Sequence, residues 1–323
     1  MNRFNELTMP DVGVGRGSSL AAPVTSLNLD VHQHLWPERM LEALRARDKP
    51  PMLRGWTLEL EGESPYEVDP SHHDPETRRS QALEQGLHLA LISPSSPLGI
   101  ELLPPPESRE LIDAYHDGAL ELPAPFGAWA AACLTELDPV GLRRELDRGF
   151  VGLTLPATAL CTEHGYVRLA SLLEVLEEAA RPLFIHPGPA TAPRAAPNWW
   201  PTIVSYVEQM YEAWYAFRAF GRPRHPTLRV CFAMLAGLAP LHGERLLARA
   251  GLRTVVDENS FLEVSSYGTR AIDATVRVLG IDVLVGGSDM PYASPVFSDL
   301  GAAAVAAIRG ANPLRLLDCK GGA

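Results

Sequence analysis

Eight short apolar runs, each followed by a stretch of helical periodicity, constrain this chain more than any other feature. They lie at residues 27–35, 87–96, 126–134, 150–157, 181–190, 227–235, 260–268 and 282–291. Apolar side chains at successive positions leave neither face of such a strand for water. The intervening segments put their apolar residues on one helical face, as in VRLASLLEVLEEAA after the fourth run. Strands buried on both faces and alternating with helices call for a parallel sheet covered by helices. Eight repeats of the unit predict a closed (β/α)8 TIM barrel. An open doubly wound sheet is the rival, but it needs a Gly-rich phosphate turn after its first strand, and that position holds two histidines.

The barrel is expected to occupy residues 27–318 as a single domain. Residues 1–26, rich in Gly, Ser and Pro without periodicity, read as a flexible N-terminal arm. After the first helix, residues 49–73 break the alternation: Trp56, Leu58 and Leu60 alternate, the chain turns at Glu61-Gly62, and the pattern resumes through Tyr66 and Val68. This predicts a small inserted β-hairpin.

The net charge of −11 argues against nucleic acid or an anionic membrane as partner, and no run approaches the roughly 18 apolar residues of a spanning helix. Cys133, Cys161, Cys231 and Cys319 are far apart and read as reduced thiols, which points to a cytoplasmic protein. The expected partner is a small-molecule substrate, and a homodimer is left open.

In such a barrel the chemistry gathers at the carboxyl ends of the strands. The first run, in LDVHQHLWP, places His32 and His34 at i and i+2, so both point to one face while Gln33 points to the other. The fifth run ends in His186 and the eighth carries Asp289. Alone, His186 reads as an ordinary core histidine and Asp289 as a turn or cap residue. Together, three imidazoles and a carboxylate make a ligand set for one divalent metal, Zn²⁺ first, with Mn²⁺ or Fe²⁺ as alternatives.

DVHQHLWP, FIHPG at 184–188 and GSDMP at 287–291 resemble the motifs of the amidohydrolase superfamily, in the branch that includes aminocarboxymuconate-semialdehyde decarboxylase. The resemblance spans residues 27 to 317. It implies a barrel of the metal-dependent hydrolase type, His32, His34, His186 and Asp289 as metal ligands, and Asp289 as the group that handles a proton. Many amidohydrolases bridge two metals with a carbamylated lysine after the fourth strand. This chain has only Lys49 and Lys320 and reads LTLPAT there, so a single metal is expected. The family also places a histidine at the end of the sixth strand. Here Met234 occupies that position, and a thioether is neither acid nor base. His242, two helical turns further on, is the possible substitute.

Arg54 and Trp56 in the insertion, Trp199 and Trp200 before the crossover after the fifth strand, Tyr292 and Met234 are candidates to line the substrate pocket: arginine to clamp a carboxylate, the aromatics to stack on a flat ring. Packing of the loops is the competing role for the tryptophans. The reading favours a hydrolase acting on a C–N, ester or lactone bond of a small carboxylated or cyclic substrate through metal-activated water. Non-oxidative decarboxylation of an aromatic or enoic acid is the alternative, and metal binding without turnover the third possibility.

Overall fold

Two sets of parallel strands account for the apolar runs. In the computed structural model, which describes residues 27–191, 193–294 and 300–318, the strands are β1 (Leu29–Gln33), β2 (Leu89–Ile92), β3 (Phe126–Ala128), β4 (Leu153–Pro156), β5 (Leu183–His186), β6 (Val230–Phe232), β7 (Ser260–Glu263) and β8 (Leu284–Val285). β1, β2 and β3 pair in that order, and β4 through β8 pair in theirs. Both seams are stitched. Ala130 bridges Leu153 and Gln33 bridges Met290, while the Val151 N–H donates to Ala128 O (3.0 Å) and the Val31 N–H to Gly286 O (2.9 Å). Each strand therefore has a neighbour on both sides, in chain order, as an α/β barrel requires. The expected N-terminal arm lies outside the described residues.

Helices follow the strands because the local signals agree with the apolar period. Asp74 and Asp138 each accept a hydrogen bond from a first-turn N–H (Thr77 and Gly141) and are followed by Pro75 and Pro139 at the first helical position. Inside the barrel, Phe184 packs edge-on against His32 (4.9 Å between ring centroids) and near-parallel to Trp129 (5.3 Å). Trp129 anchors its indole N–H on Val31 O at 2.9 Å. The floor of the barrel is thus a packed aromatic layer.

Three elements differ from expectation. The insertion is a three-stranded antiparallel sheet (Met52–Arg54, Thr57–Glu59, Tyr66–Glu67) where a hairpin was expected. Gly55, at φ 62°, permits the additional tight turn, and the paired Leu53 and Leu58 bury themselves beneath it. The helix expected after the fourth strand is two, Glu163–Arg168 and Ala170–Glu178. The helix due after the sixth apolar run, 227–235, begins only at Gly243, because Met234 through Leu238 all adopt left-handed backbone (φ 49° to 61°). Gly237 is obligatory in that turn, since a Cβ there would lie 2.6 Å from Val207 O. Among the described residues no helix is long and apolar enough to cross a membrane.

Gly152, at the seam between β3 and β4, tests the closure. A Cβ would be driven into the Pro182 carbonyl oxygen and lie 2.9 Å from the Trp129 ring. Gly152→Ala is expected to destabilise the fold by about 1–3 kcal/mol in a denaturant titration. Gly301→Ala, which meets nothing within 4 Å, should change stability by less than about 0.5 kcal/mol.

Candidate metal centre

β1 delivers two imidazoles to one point because its register is locked from below and from the side. Asp30 accepts from the His32 and Ser288 N–H groups (3.1 Å each) and from Gln33 Nε2 (2.8 Å). Gln33 Oε1 in turn accepts from Arg78 Nη2 (2.7 Å), while Arg78 Nη1 donates to His34 O and His72 O (2.7 and 2.8 Å). Burial pushes the Arg78 guanidinium down to about 10. Gln33, on the opposite face from the histidines, is thus part of their support. From the side, the Asp289 N–H donates to His32 O (2.9 Å) and the His34 N–H to Met290 O (2.7 Å). Asp289 itself has φ 58°, a left-handed conformation that aspartate tolerates better than most residues.

The side chains converge. His32 Nε2 and His34 Nε2 are 3.1 Å apart, and Asp289 Oδ1 is 3.4 Å from the first and 3.2 Å from the second. The His186 ring stands edge-on to both, at 4.9 and 5.0 Å between centroids. One donor atom from each of the four residues lies within 4.8 Å of the others. Ligands about 2.0–2.1 Å from a tetrahedral ion are separated by roughly 3.3–3.4 Å, so the edges measured here fit a first-row divalent cation. The Nδ1 atoms point away and face acceptors: Glu263 Oε2 for His32 (3.0 Å), Ser93 O for His34 (3.2 Å) and Pro187 O for His186 (2.9 Å).

The electrostatics agree with a cation site. Burial holds His34 and His186 below the ordinary 6.5, keeping them neutral ligands. Burial also lowers His32, but Asp289 and Glu263 outweigh it and raise the group. Burial works to raise Asp289, and the surrounding histidines overcome it, holding the carboxyl down at about 2.

Other candidates fare differently. The Tyr292 ring sits 5.6 Å from His34, beside the cluster. Burial raises its phenol, and that of Tyr206, with Asp289 contributing to both; Tyr66, in the inserted sheet, is pushed up to about 12. Tyr66 and Tyr206 act electrostatically on Tyr292, an association that only the fold makes, since it brings the insertion and the crossover together. Met234 lies two residues beyond the end of β6, and its N–H donates to Glu263 (3.3 Å). The Arg54 guanidinium donates to Arg45 O and Arg47 O (3.3 and 2.6 Å). Trp56 packs on the core beneath the Arg45 guanidinium. Trp199 is 54% exposed and stacks on Trp200. His242 is exposed, stands edge-on to Tyr211 and lines a cavity of about 770 Å³ with Cys161, Tyr211, Tyr215 and Phe220, whose lining includes none of the four clustered residues. Glu263 escaped the sequence reading, although a lone acid in the apolar run SFLEV was a signal for it.

No protein-family model matches this sequence, and no curated protein matches it. Solved structures do. An IDCase from Metarhizium anisopliae, in apo form, matches with a TM-score of 0.75 at 18% identity, over 93% of this chain and 99% of that one. A 5-carboxyvanillate decarboxylase from Novosphingobium aromaticivorans, complexed with manganese and 4-hydroxy-3-methoxy-5-nitrobenzoic acid, matches with a TM-score of 0.71 at 18% identity, over 91% and 96%. An amidohydrolase II structure matches at 0.69 and 19% identity, over 90% and 99%. The chain has the amidohydrolase-type barrel fold. At these identities the likeness concerns the fold, and in this amidohydrolase-type barrel the four converging residues stand at the ends of β1, β5 and β8.

Two measurements test the centre. The purified protein should carry about one equivalent of divalent metal by elemental analysis, and His32→Ala/His34→Ala should carry almost none. The pH dependence follows from His32. Raised above 6.5, its charged form adds stability to the metal-free protein below that pH, and this is lost as pH rises through the raised value. A cation requires the neutral ring, so affinity should fall as the medium is acidified through that range, with proton release on binding, both measurable by calorimetry in buffers of different ionisation heat.

Proposed function

We propose that this protein is a metal-dependent non-oxidative decarboxylase of a small aromatic acid. The observation that carries the reading is the buried cluster of His32, His34, His186 and Asp289 in a barrel that matches, over 91% of its length, one solved with manganese and a substituted benzoic acid. A bound divalent cation would hold the substrate's oxygens and draw electron density from the ring.

The remaining work falls on the chain's own residues. Asp289 has 18% of its side chain exposed, against 0% for His32 and 2% for His34, so it is the member of the cluster that faces the opening. In this reading it is the group that moves the proton. In the reaction the bond between ring carbon and carboxylate breaks, its electron pair stays on the ring carbon, a proton adds there, and carbon dioxide leaves. Tyr292, beside His34, offers a flat surface for the ring, and the phenols of Tyr66 and Tyr206 offer hydrogen bonds to its substituents.

Hydrolysis, which the sequence favoured, asks more of this site. It needs a base for water and, with an amide, an acid for the leaving nitrogen. With Met234 beyond the end of β6 and His242 in another cavity, Asp289 is left as the one acid–base group of the cluster besides its histidines. Decarboxylation moves a single proton. Manganese is as good a resident for the site as zinc, since three imidazoles and a carboxylate suit both.

Carbon dioxide release from a panel of hydroxybenzoic acids, in the presence of Mn²⁺ or Zn²⁺, tests the assignment; opening of amides or lactones without gas would reverse it. Asp289→Asn is expected to lower kcat by about 10²- to 10⁴-fold. Met234→His places a residue that accepts left-handed backbone in that turn, and should leave the fold intact while raising turnover. Turnover unchanged or lowered by it would mean that no proton is needed from the β6 side.

A further inference from the structure

A histidine can offer Nε2 to a cation only with its proton on Nδ1, and Nδ1–H then needs an acceptor. For His34 and His186 the acceptor is main chain, the carbonyls of Ser93 and Pro187. No side-chain substitution removes those. His32 differs: its acceptor is the carboxylate of Glu263, at the end of β7, 3.0 Å away and fully buried.

That carboxylate is itself held on every side. Oε2 also accepts from Ser265 Oγ (2.7 Å) and the Met234 N–H (3.3 Å), and Oε1 accepts from the Ser265 N–H. Gly287 leaves it room, since a Cβ there would be driven into the carboxyl group. Among the described residues its ion-pair partner is His32, with neither arginine nor lysine against it. A buried negative charge without a cationic side chain calls for compensation from elsewhere. A divalent cation at the cluster is the matching charge, because Asp289 and Glu263 together carry two negative charges.

We propose that Glu263 is the positioning residue of the centre: it fixes His32 with its proton on Nδ1 and supplies the second of the two negative charges that balance a divalent cation. The proposal rests on the metal-site reading above. It assigns a role to a residue that touches no substrate, acting through His32 alone.

The test uses the full chain, stripped of metal, with Zn²⁺ alone as the probe and the histidine ring nitrogens followed by ¹⁵N NMR. Wild-type His32 should show its proton on Nδ1. Glu263→Gln keeps the shape but replaces a charge with an amide that faces existing donors; it is expected to weaken Zn²⁺ binding about 10- to 100-fold and to mix the His32 tautomers. Ser265→Ala removes one hydrogen bond to the same carboxylate but leaves the Ser265 and Met234 N–H groups on it, and should cost far less Zn²⁺ affinity than Glu263→Gln while keeping the His32 proton on Nδ1. Should Glu263→Gln fail to fold, Glu263→Asp, which retains the charge but withdraws it from His32, is expected to show the same loss. Undiminished Zn²⁺ affinity in a folded Glu263 variant, or an equal loss in Ser265→Ala, overturns the proposal and leaves the metal site standing. Absence of Zn²⁺ binding by the wild type overturns both.

Discussion

Three imidazoles and a carboxylate crowd one buried point, and everything at the mouth of this barrel depends on holding them there. The separation of 3.1 Å between His32 Nε2 and His34 Nε2 is tolerable only because each ring is pinned from behind, by Glu263, Ser93 and Pro187. Beneath them the chain from Asp30 through Gln33 to Arg78 is fully hydrogen-bonded in a region of low dielectric, where a half-satisfied network would be worse than an apolar core. The hydrogen bonds that orient the rings come from the chain itself, which is how outer partners fix the ligands of a cation site.

Backbone strain gathers around the same point. Asp289 and Met234 both occupy left-handed conformations, and Met234 begins a turn of five such residues. Non-glycine residues there cost roughly 1–2 kcal/mol each, so the turn persists only because the surroundings over-determine it. The Met234 N–H, donating to Glu263, ties that turn to the ligand of β1. The seam between β8 and β1 is of the same kind: β8 has two residues, and the loop from Gly286 to Met290 does the rest of the joining through main-chain bonds to Val31, His32 and His34.

The loops above the cluster have a common chemical character. Tyr66 comes from the insertion, Tyr206 from the crossover after β5 and Tyr292 from the loop after β8, and burial raises all three phenols. A phenol held above its ordinary pKa stays neutral and can act as a hydrogen-bond donor. The carboxylates of Asp289 and Glu263 lie at the cluster, while these walls contribute aromatic shape and neutral phenols, a combination suited to a flat, oxygen-bearing ring.

Much of this was written locally. The alternation of doubly buried strands with amphipathic helices determined a parallel sheet covered by helices, and two histidines where an open sheet would want a Gly-rich turn pointed to the barrel. The i, i+2 spacing of His32 and His34 determined that they share a face, and strand ends alone named His186 and Asp289. What the sequence could not settle depended on contacts between segments far apart. Arg54 has a reach that several acceptors could satisfy, and the nearest carbonyls took it; His242 lies in a helical register that the left-handed turn before it displaced. Glu263 is one acid among many until β7 closes beside β6 and brings it 231 residues along the chain to His32. Strand pattern is a property of neighbours in sequence, whereas the tautomer of a ligand and the balance of its charge belong to neighbours in space, and only the closed barrel decided those.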